Sequence, residues 1–112
     1  MTEIQKSKLY DLEERTFKFA REVLEFVKAL PKNLANLEIG KQLIRSAGSI
    51  GANYIEANES LGKKDFLMRI RICRKEAKET RYWLKLLEEE GKLINEVTEL
   101  MKIFGSIVEK SK

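Results

Sequence analysis

Five basic residues, Arg71, Arg74, Lys78, Arg81 and Lys85, recur at intervals of three and four along one stretch of the chain. On an α-helix that spacing aligns them in a single row, because residues three and four apart are surface neighbours. Cationic groups repeated at each turn can track the phosphates of RNA or DNA, and Tyr82 beside them can stack on a base. The plainer reading is a solvated face whose charge is balanced by acids elsewhere, such as Glu13, Glu14, Glu22 and Glu25 of an earlier segment.

Other chemistries are poorly served. The chain contains no histidine and a single cysteine, Cys73. Without histidine there is no Ser-His-Asp or Cys-His arrangement, no histidine-containing zinc site and no Glu-x-x-His pair of the di-iron bundles. One cysteine allows neither an intrachain disulfide nor a Cys-x-x-Cys site. Asn53 and Glu56 are expected to join a buried hydrogen-bonded network that sets helix register, and no partner marks Glu56 as catalytic. The expectation is a protein that is not an enzyme and needs no cofactor. "GSIG" is also a poor phosphate loop, since no Gly-x-x-x-x-Gly-Lys-[Ser/Thr] pattern surrounds it and no flanking strands are expected.

These residues need elements to position them. With 36% charged and 43% hydrophobic residues and one proline, the composition is that of long amphipathic helices in one domain, here spanning residues 1–112. Four helices are expected, at about 11–30, 37–59, 64–90 and 95–109. The first carries Leu9, Leu12, Thr16, Phe19, Val23, Phe26 and Leu30 on one face, with a capping box from Asp11 to Glu14 and a stop at Pro31. The third carries Phe66, Ile70, Cys73, Ala77, Thr80, Leu84 and Leu87, with Gly91 as its C-terminal cap; the fourth carries Leu93, Val97, Leu100, Phe104 and Ile107. Short connections imply an all-α, up-down-up-down antiparallel four-helix bundle, with a three-helix bundle containing a broken second helix as the structural alternative.

The second helix is unusual. Leu43, Ala47, Ile50, Tyr54, Ala57 and Leu61 make one apolar stripe, and Ile44, Gly48, Gly51 and Ile55 make another beside it. Two interior glycines cost a helix nearly 2 kcal/mol relative to alanine, so they should be offset by close approach of another backbone. Gly48, Gly51 and Ile55, together with Trp83, are therefore expected to pack helices or subunits together. Cys73 is expected to be a small buried hydrophobe.

The net charge of +4 allows a polyanionic partner without requiring one. The amino-terminal "MTEIQKSKLYDLEE" lacks the layout of a secretory signal, and no apolar run approaches the roughly 20 residues that span a bilayer. A cytoplasmic protein with no membrane partner is expected.

The segments "DLEERTFKFAREVLEFVKALP", "QLIRSAGSIGANYIEANES" and "KKDFLMRIRICRKEAKETRYWLKLL" resemble the bacterial 23S rRNA intervening sequence proteins. The most specific parts are Arg45-Ser46-Ala47 with Ser49-Ile50 and Asn53, and the run Glu79-Thr80-Arg81-Tyr82-Trp83-Leu84. Asn58 stands where family members commonly have glycine, which should alter the end of the second helix. The resemblance implies a four-helix bundle assembling as a homopentamer, with no catalytic residues to carry over. The chain is also similar to the basic, pentameric accessory protein of diversity-generating retroelements, which implies a reverse transcriptase and nucleic acid as partners. The expected function is a non-catalytic homo-oligomeric bundle with an electrostatic capacity to bind RNA or DNA. The alternative is a protein–protein interaction module with no nucleic-acid role.

Overall fold

The computed structural model describes the backbone of residues 3–111 and the side chains of residues 12–111. Four α-helices follow one another: α1 Glu3–Ala29, α2 Leu34–Asn58, α3 Lys63–Leu86 and α4 Lys92–Lys110. The described residues contain no strand. The helices pack as a bundle in which α2 shares most surface with α3, α3 with α4 and α1 with α2, while α1 touches α4 only sparsely.

The boundaries differ from expectation for local reasons. α1 passes through Asp11 instead of starting there, so the capping box is not used; Leu9 and the Asp11 side chain lie outside the described side chains. α2 begins within "PKNLAN", because Asn33 serves as N-cap and accepts a 2.9 Å hydrogen bond from the Asn36 amide. Asn36 Nδ2 in turn donates to the Pro31 carbonyl at 2.9 Å, tying the connection to the helix start. α3 ends at Leu86, not near residue 90, and the left-handed position that follows is taken by Glu88, at φ 60°. Gly91 is thus not the C-terminal cap of α3 but the N-cap of α4.

The core is built from the expected stripes. Leu12, Phe19 and Val23 of α1 meet Leu43, Ala47, Ile50, Tyr54 and Ala57 of α2, Ile70, Cys73, Ala77 and Leu84 of α3, and Leu93, Val97, Leu100, Phe104 and Val108 of α4. The Tyr54 and Phe104 rings tilt against each other at 5.9 Å, a favourable geometry for aromatic quadrupoles. Phe66, Leu87 and Ile107 pack against the core only partly. Leu61 is fully exposed, because α2 stops at Asn58 and its periodicity no longer applies. Cys73 is buried, donates a 3.4 Å hydrogen bond to the Ile50 carbonyl, and has its thiol pKa pushed up to about 12 by burial. It behaves as the small hydrophobe the stripe predicts.

Thin packing between α1 and α4 leaves that joint to ion pairs. Arg15 Nε and Nη2 reach Glu96 and Glu99 at 2.7 and 3.0 Å, and Lys92 reaches Glu22 at 3.2 Å. Hydrogen bonding to Glu96 raises the Arg15 pKa further above its ordinary value.

Candidate nucleic-acid interface

α3 has two polar flanks, and they are built differently. On the α2 side the polar groups satisfy one another. Arg45 Nη1 donates to Glu76 Oε2 at 3.2 Å and Arg45 Nη2 to Glu79 Oε1 at 2.7 Å. Trp83 Nε1 donates to the same Glu79 oxygen at 3.3 Å. The Ser46 and Thr80 hydroxyls lie 2.8 Å apart, both buried, and Thr80 is also 2.8 Å from the Glu76 carbonyl. Further along, Arg69 donates to Asn53 Oδ1 at 3.0 Å while Asn53 Nδ2 donates to the Ser49 carbonyl at 2.9 Å. Bonding to Arg45 holds the Glu79 carboxyl below the usual carboxylate range and raises the Arg45 pKa.

Every residue of this seam except Arg69 and Glu76 comes from the two motif fragments singled out in the sequence. Their distinctive polar character is used between α2 and α3, where matched pairs at fixed positions set helix register. Asn53 joins the seam as expected. Glu56 does not: its side chain is exposed, and its backbone carbonyl accepts from the Glu59 amide and the Ser60 hydroxyl, both at 3.2 Å, at the end of α2.

The opposite flank of α3 faces α4 and carries the basic row. Arg71, Arg74, Lys78 and Lys85 are exposed and form no ion pair with any described acid. Three of the four acids proposed to balance them are engaged elsewhere, Glu22 with Lys92, Glu25 with Lys28 and Glu13 with Asn58, and the fourth, Glu14, forms no ion pair with the row. A shallow cavity of about 370 Å³ lies between the row and α4, lined by Arg71, Arg74, Lys75, Lys78, Val108 and Glu109. Arg74 reaches across to α4 at Gly105, where an added Cβ would stand 3.6 Å from its Nε.

Arg81 leaves the row. It is half-buried and turned into the α3–α4 joint, with Nη1 3.8 Å from Met101 Sδ and a buried Nε that has no partner. Lys75, one turn before Lys78 and exposed, extends the cationic surface; sequence periodicity omitted it because it falls just off the row.

The packing residues separate as well. A Cβ at Gly51 would lie 3.1 Å from Thr16 Oγ1, so this glycine does let α1 approach α2. Gly48 meets nothing within 4 Å, which corrects its expected role inside the bundle. The second close approach is at Gly40, where a Cβ would lie 2.9 Å from Val27 Cγ1. Gly40 and Gly51 are eleven residues apart, three turns of a helix, and that spacing was the overlooked signal. Ile55 is half exposed, as are Leu37 and Ile44 on the same stripe, and α1 exposes Phe17 and Leu24, seven residues apart. Trp83 packs partly on the core while hydrogen-bonded to Glu79, and its ring meets Tyr82 at 5.1 Å in a T-shaped contact. Tyr82 is 57% exposed.

Among the described residues no three His, Cys, Asp or Glu side chains cluster to hold a metal ion, and no helix is long and apolar enough to cross a membrane.

An all-helical bundle with a paired polar seam on one flank of its third helix and unpaired cations on the other is the class these features define. The chain belongs to the 23S rRNA-intervening sequence protein family, whose sequence model matches residues 8–110. It is also similar to a crystal structure of a protein of unknown function from the S23 ribosomal protein family of Bacteroides thetaiotaomicron. The two are 33% identical with a TM-score of 0.81, over 91% of this chain and 98% of the other. No functionally curated protein matches the chain.

Proposed function

We propose that this protein is a non-catalytic, homo-oligomeric bundle that binds RNA or DNA electrostatically along the α3–α4 flank. The observation that carries this reading is the set of exposed cations Arg71, Arg74, Lys78 and Lys85, none of them paired with a described acid, beside the α3–α4 cavity. Cations that are not neutralised internally are free to replace counterions on phosphate. Most polar residues of the motif fragments (Arg45, Ser46, Ser49, Asn53, Glu79, Thr80 and Trp83) are, by contrast, occupied in or beside the α2–α3 seam, which supports a scaffold in preference to an enzyme.

In this reading the helices alternate up-down-up-down. Val27–Gly40 and Thr16–Gly51 run in opposite order along α1 and α2, Arg45–Glu79 and Asn53–Arg69 do so along α2 and α3, and Arg74–Gly105 and Arg81–Met101 do so along α3 and α4. The assembly is a homopentamer, as the resemblance implies. Exposed Leu37, Ile44 and Ile55 with the open Gly48 support contact between copies through the outer face of α2. A ring would repeat the basic row and sum modest contacts by multivalency. With one cysteine, buried and reduced, the protein suits the cytoplasm.

Titrating labelled RNA at low and moderate salt tests the nucleic-acid reading: binding should appear at low salt, weaken steeply as salt rises, and be lost in Arg74→Glu/Lys78→Glu. No binding at low salt overturns it. Light scattering tests the assembly, and a monomer would overturn that part. The same exposed apolar residues also favour a second reading, a protein-interaction module whose partner could be a reverse transcriptase. There the charge reversals would leave nucleic-acid behaviour untouched and abolish capture of one specific protein.

A further inference from the structure

We infer that the basic flank of α3 takes single-stranded rather than duplex nucleic acid, and that a base stacks on Tyr82. The inference rests on the electrostatic reading above and adds the form of the ligand to it.

Tyr82 is exposed, yet its ring is positioned in advance. Trp83 supports it edgewise at 5.1 Å, Glu79 holds the Trp83 indole N–H at 3.3 Å, and Arg45 holds Glu79 at 2.7 Å. A relay of three contacts thus runs from the α2–α3 seam to an aromatic ring that keeps more than half of its surface in water. A ring fixed before the ligand arrives loses little entropy on stacking.

The surroundings of the ring are cationic. Lys78 lies one turn before Tyr82 and Lys85 one turn after it, about 10 Å apart along the axis. Both are exposed, as is Lys75 a further turn back; none of the three forms an ion pair within 4.0 Å of a described acid, although Lys75 acts on Glu79 through its charge. Phosphates on either side of a stacked base would each meet an ammonium group. A single strand offers the base face that this requires; in a duplex the faces are already stacked, and only edges and backbone are presented. A tyrosine lying among lysines on the outside of a bundle helix would therefore contribute to single-strand binding and add nothing to duplex binding.

The test uses the full chain, a labelled single-stranded RNA and a two-stranded blunt-ended duplex of matched length at low salt, with binding followed by anisotropy and by emission of Trp83, the only tryptophan. The single strand should bind more tightly and quench Trp83. Tyr82→Ala should weaken it about tenfold, the scale of one lost base–aromatic stack. Tyr82→Phe should restore it to within about twofold, since the ring and not the hydroxyl stacks. Duplex binding and the salt slope should not change in either variant. If Tyr82→Ala leaves single-strand affinity unchanged or weakens both ligands equally, the inference fails. If it alters particle mass in light scattering together with binding, Tyr82 is a subunit contact and the inference also fails. Lys78→Glu separates the two levels: weakening of both ligands with no Tyr82 effect retains the electrostatic reading and rejects the stacking one.

Discussion

The two flanks of α3 carry similar residue types and put them to opposite use. Toward α2, Glu76 and Glu79 are matched by Arg45, Thr80 by Ser46, and Trp83 by Glu79. Toward α4, Arg71, Arg74 and Lys78 line a cavity that Glu109 also borders, and none of the three forms an ion pair within 4.0 Å of a described acid. A charge beside a core must be paired or it destabilises the fold, whereas a charge in water can stay open for a partner. Composition cannot tell these cases apart; only the element lying opposite does.

The sharpest way to break the comparison is to remove one cation from each flank. Arg45→Ala strands the Glu76 carboxylate, whose side chain is only 7% exposed. The expected loss in urea unfolding is about 2 kcal/mol, above the value of a surface pair and below that of a fully buried one because Arg45 itself is half exposed. Arg45→Ala/Glu76→Gln should recover part of that loss, the coupling a double-mutant cycle detects. Arg74→Ala should stay within about 0.5 kcal/mol. Equal losses from both substitutions would mean that the basic row is structural.

The two glycines of the second helix repeat the contrast at smaller scale. Gly51→Ala pushes a Cβ to 3.1 Å from Thr16 and should lower stability by about 1 kcal/mol, since overpacking outweighs the gain in helix propensity. Gly48→Ala meets nothing and should raise stability of the single chain by roughly 0.8–1.0 kcal/mol in thermal unfolding. If Gly48→Ala also lowers the particle mass in light scattering, the open glycine belongs to a contact between copies.

Trp83 and Tyr82 give a finer version. Trp83→Phe removes the indole donor and leaves Glu79 one bond short, an expected loss of about 0.5–1.5 kcal/mol in urea unfolding. Tyr82→Phe, on an exposed ring, should change stability by less than about 0.5 kcal/mol. A larger effect at Tyr82 would show that its hydroxyl is structural and would weaken its assignment as an open platform.

How much of this was legible depended on whether the information was local. The buried stripes of α1, α3 and α4 followed from spacing alone, because one face of an amphipathic helix must turn inward whatever it meets. The start of α2 was missed because Asn33 looked like part of a polar connection, and its capping bond to Asn36 depends on backbone geometry at that residue. The end of α3 was missed because Glu88 occupies a left-handed conformation that Gly91 was expected to supply. Gly48 and Gly51 are neighbours on the helix surface, yet only Gly51 lies where α1 crosses, and a helical wheel holds no record of its neighbour. The acids of α1 looked like natural partners for the basic row; they lie on a helix that the row does not face. Arg81 kept the spacing of the row but not its exposure, because Met101 lies opposite it.

The smallest effect concerns acid. Arg45 holds the Glu79 carboxyl below its ordinary range, so the folded state favours the charged form more than the unfolded chain does. The stability this supplies is complete above the unfolded value of about 4.3 and is lost as pH falls through the lower folded value. Arg45 and Glu79 are both partly in water, so the contribution is small and screened. Urea midpoints measured between about pH 6 and pH 3 should fall for the native chain. In Arg45→Ala the Glu79 contribution to that fall should shrink, because the largest cause of its lowered pKa is gone, while the Trp83 hydrogen bond and the Lys75 charge still favour the carboxylate against its desolvation. In Arg74→Ala the fall should be unchanged, since no described carboxylate pairs with Arg74. A flattened acid limb in Arg74→Ala would reveal a carboxylate partner on the α4 side and would erase the difference between the flanks.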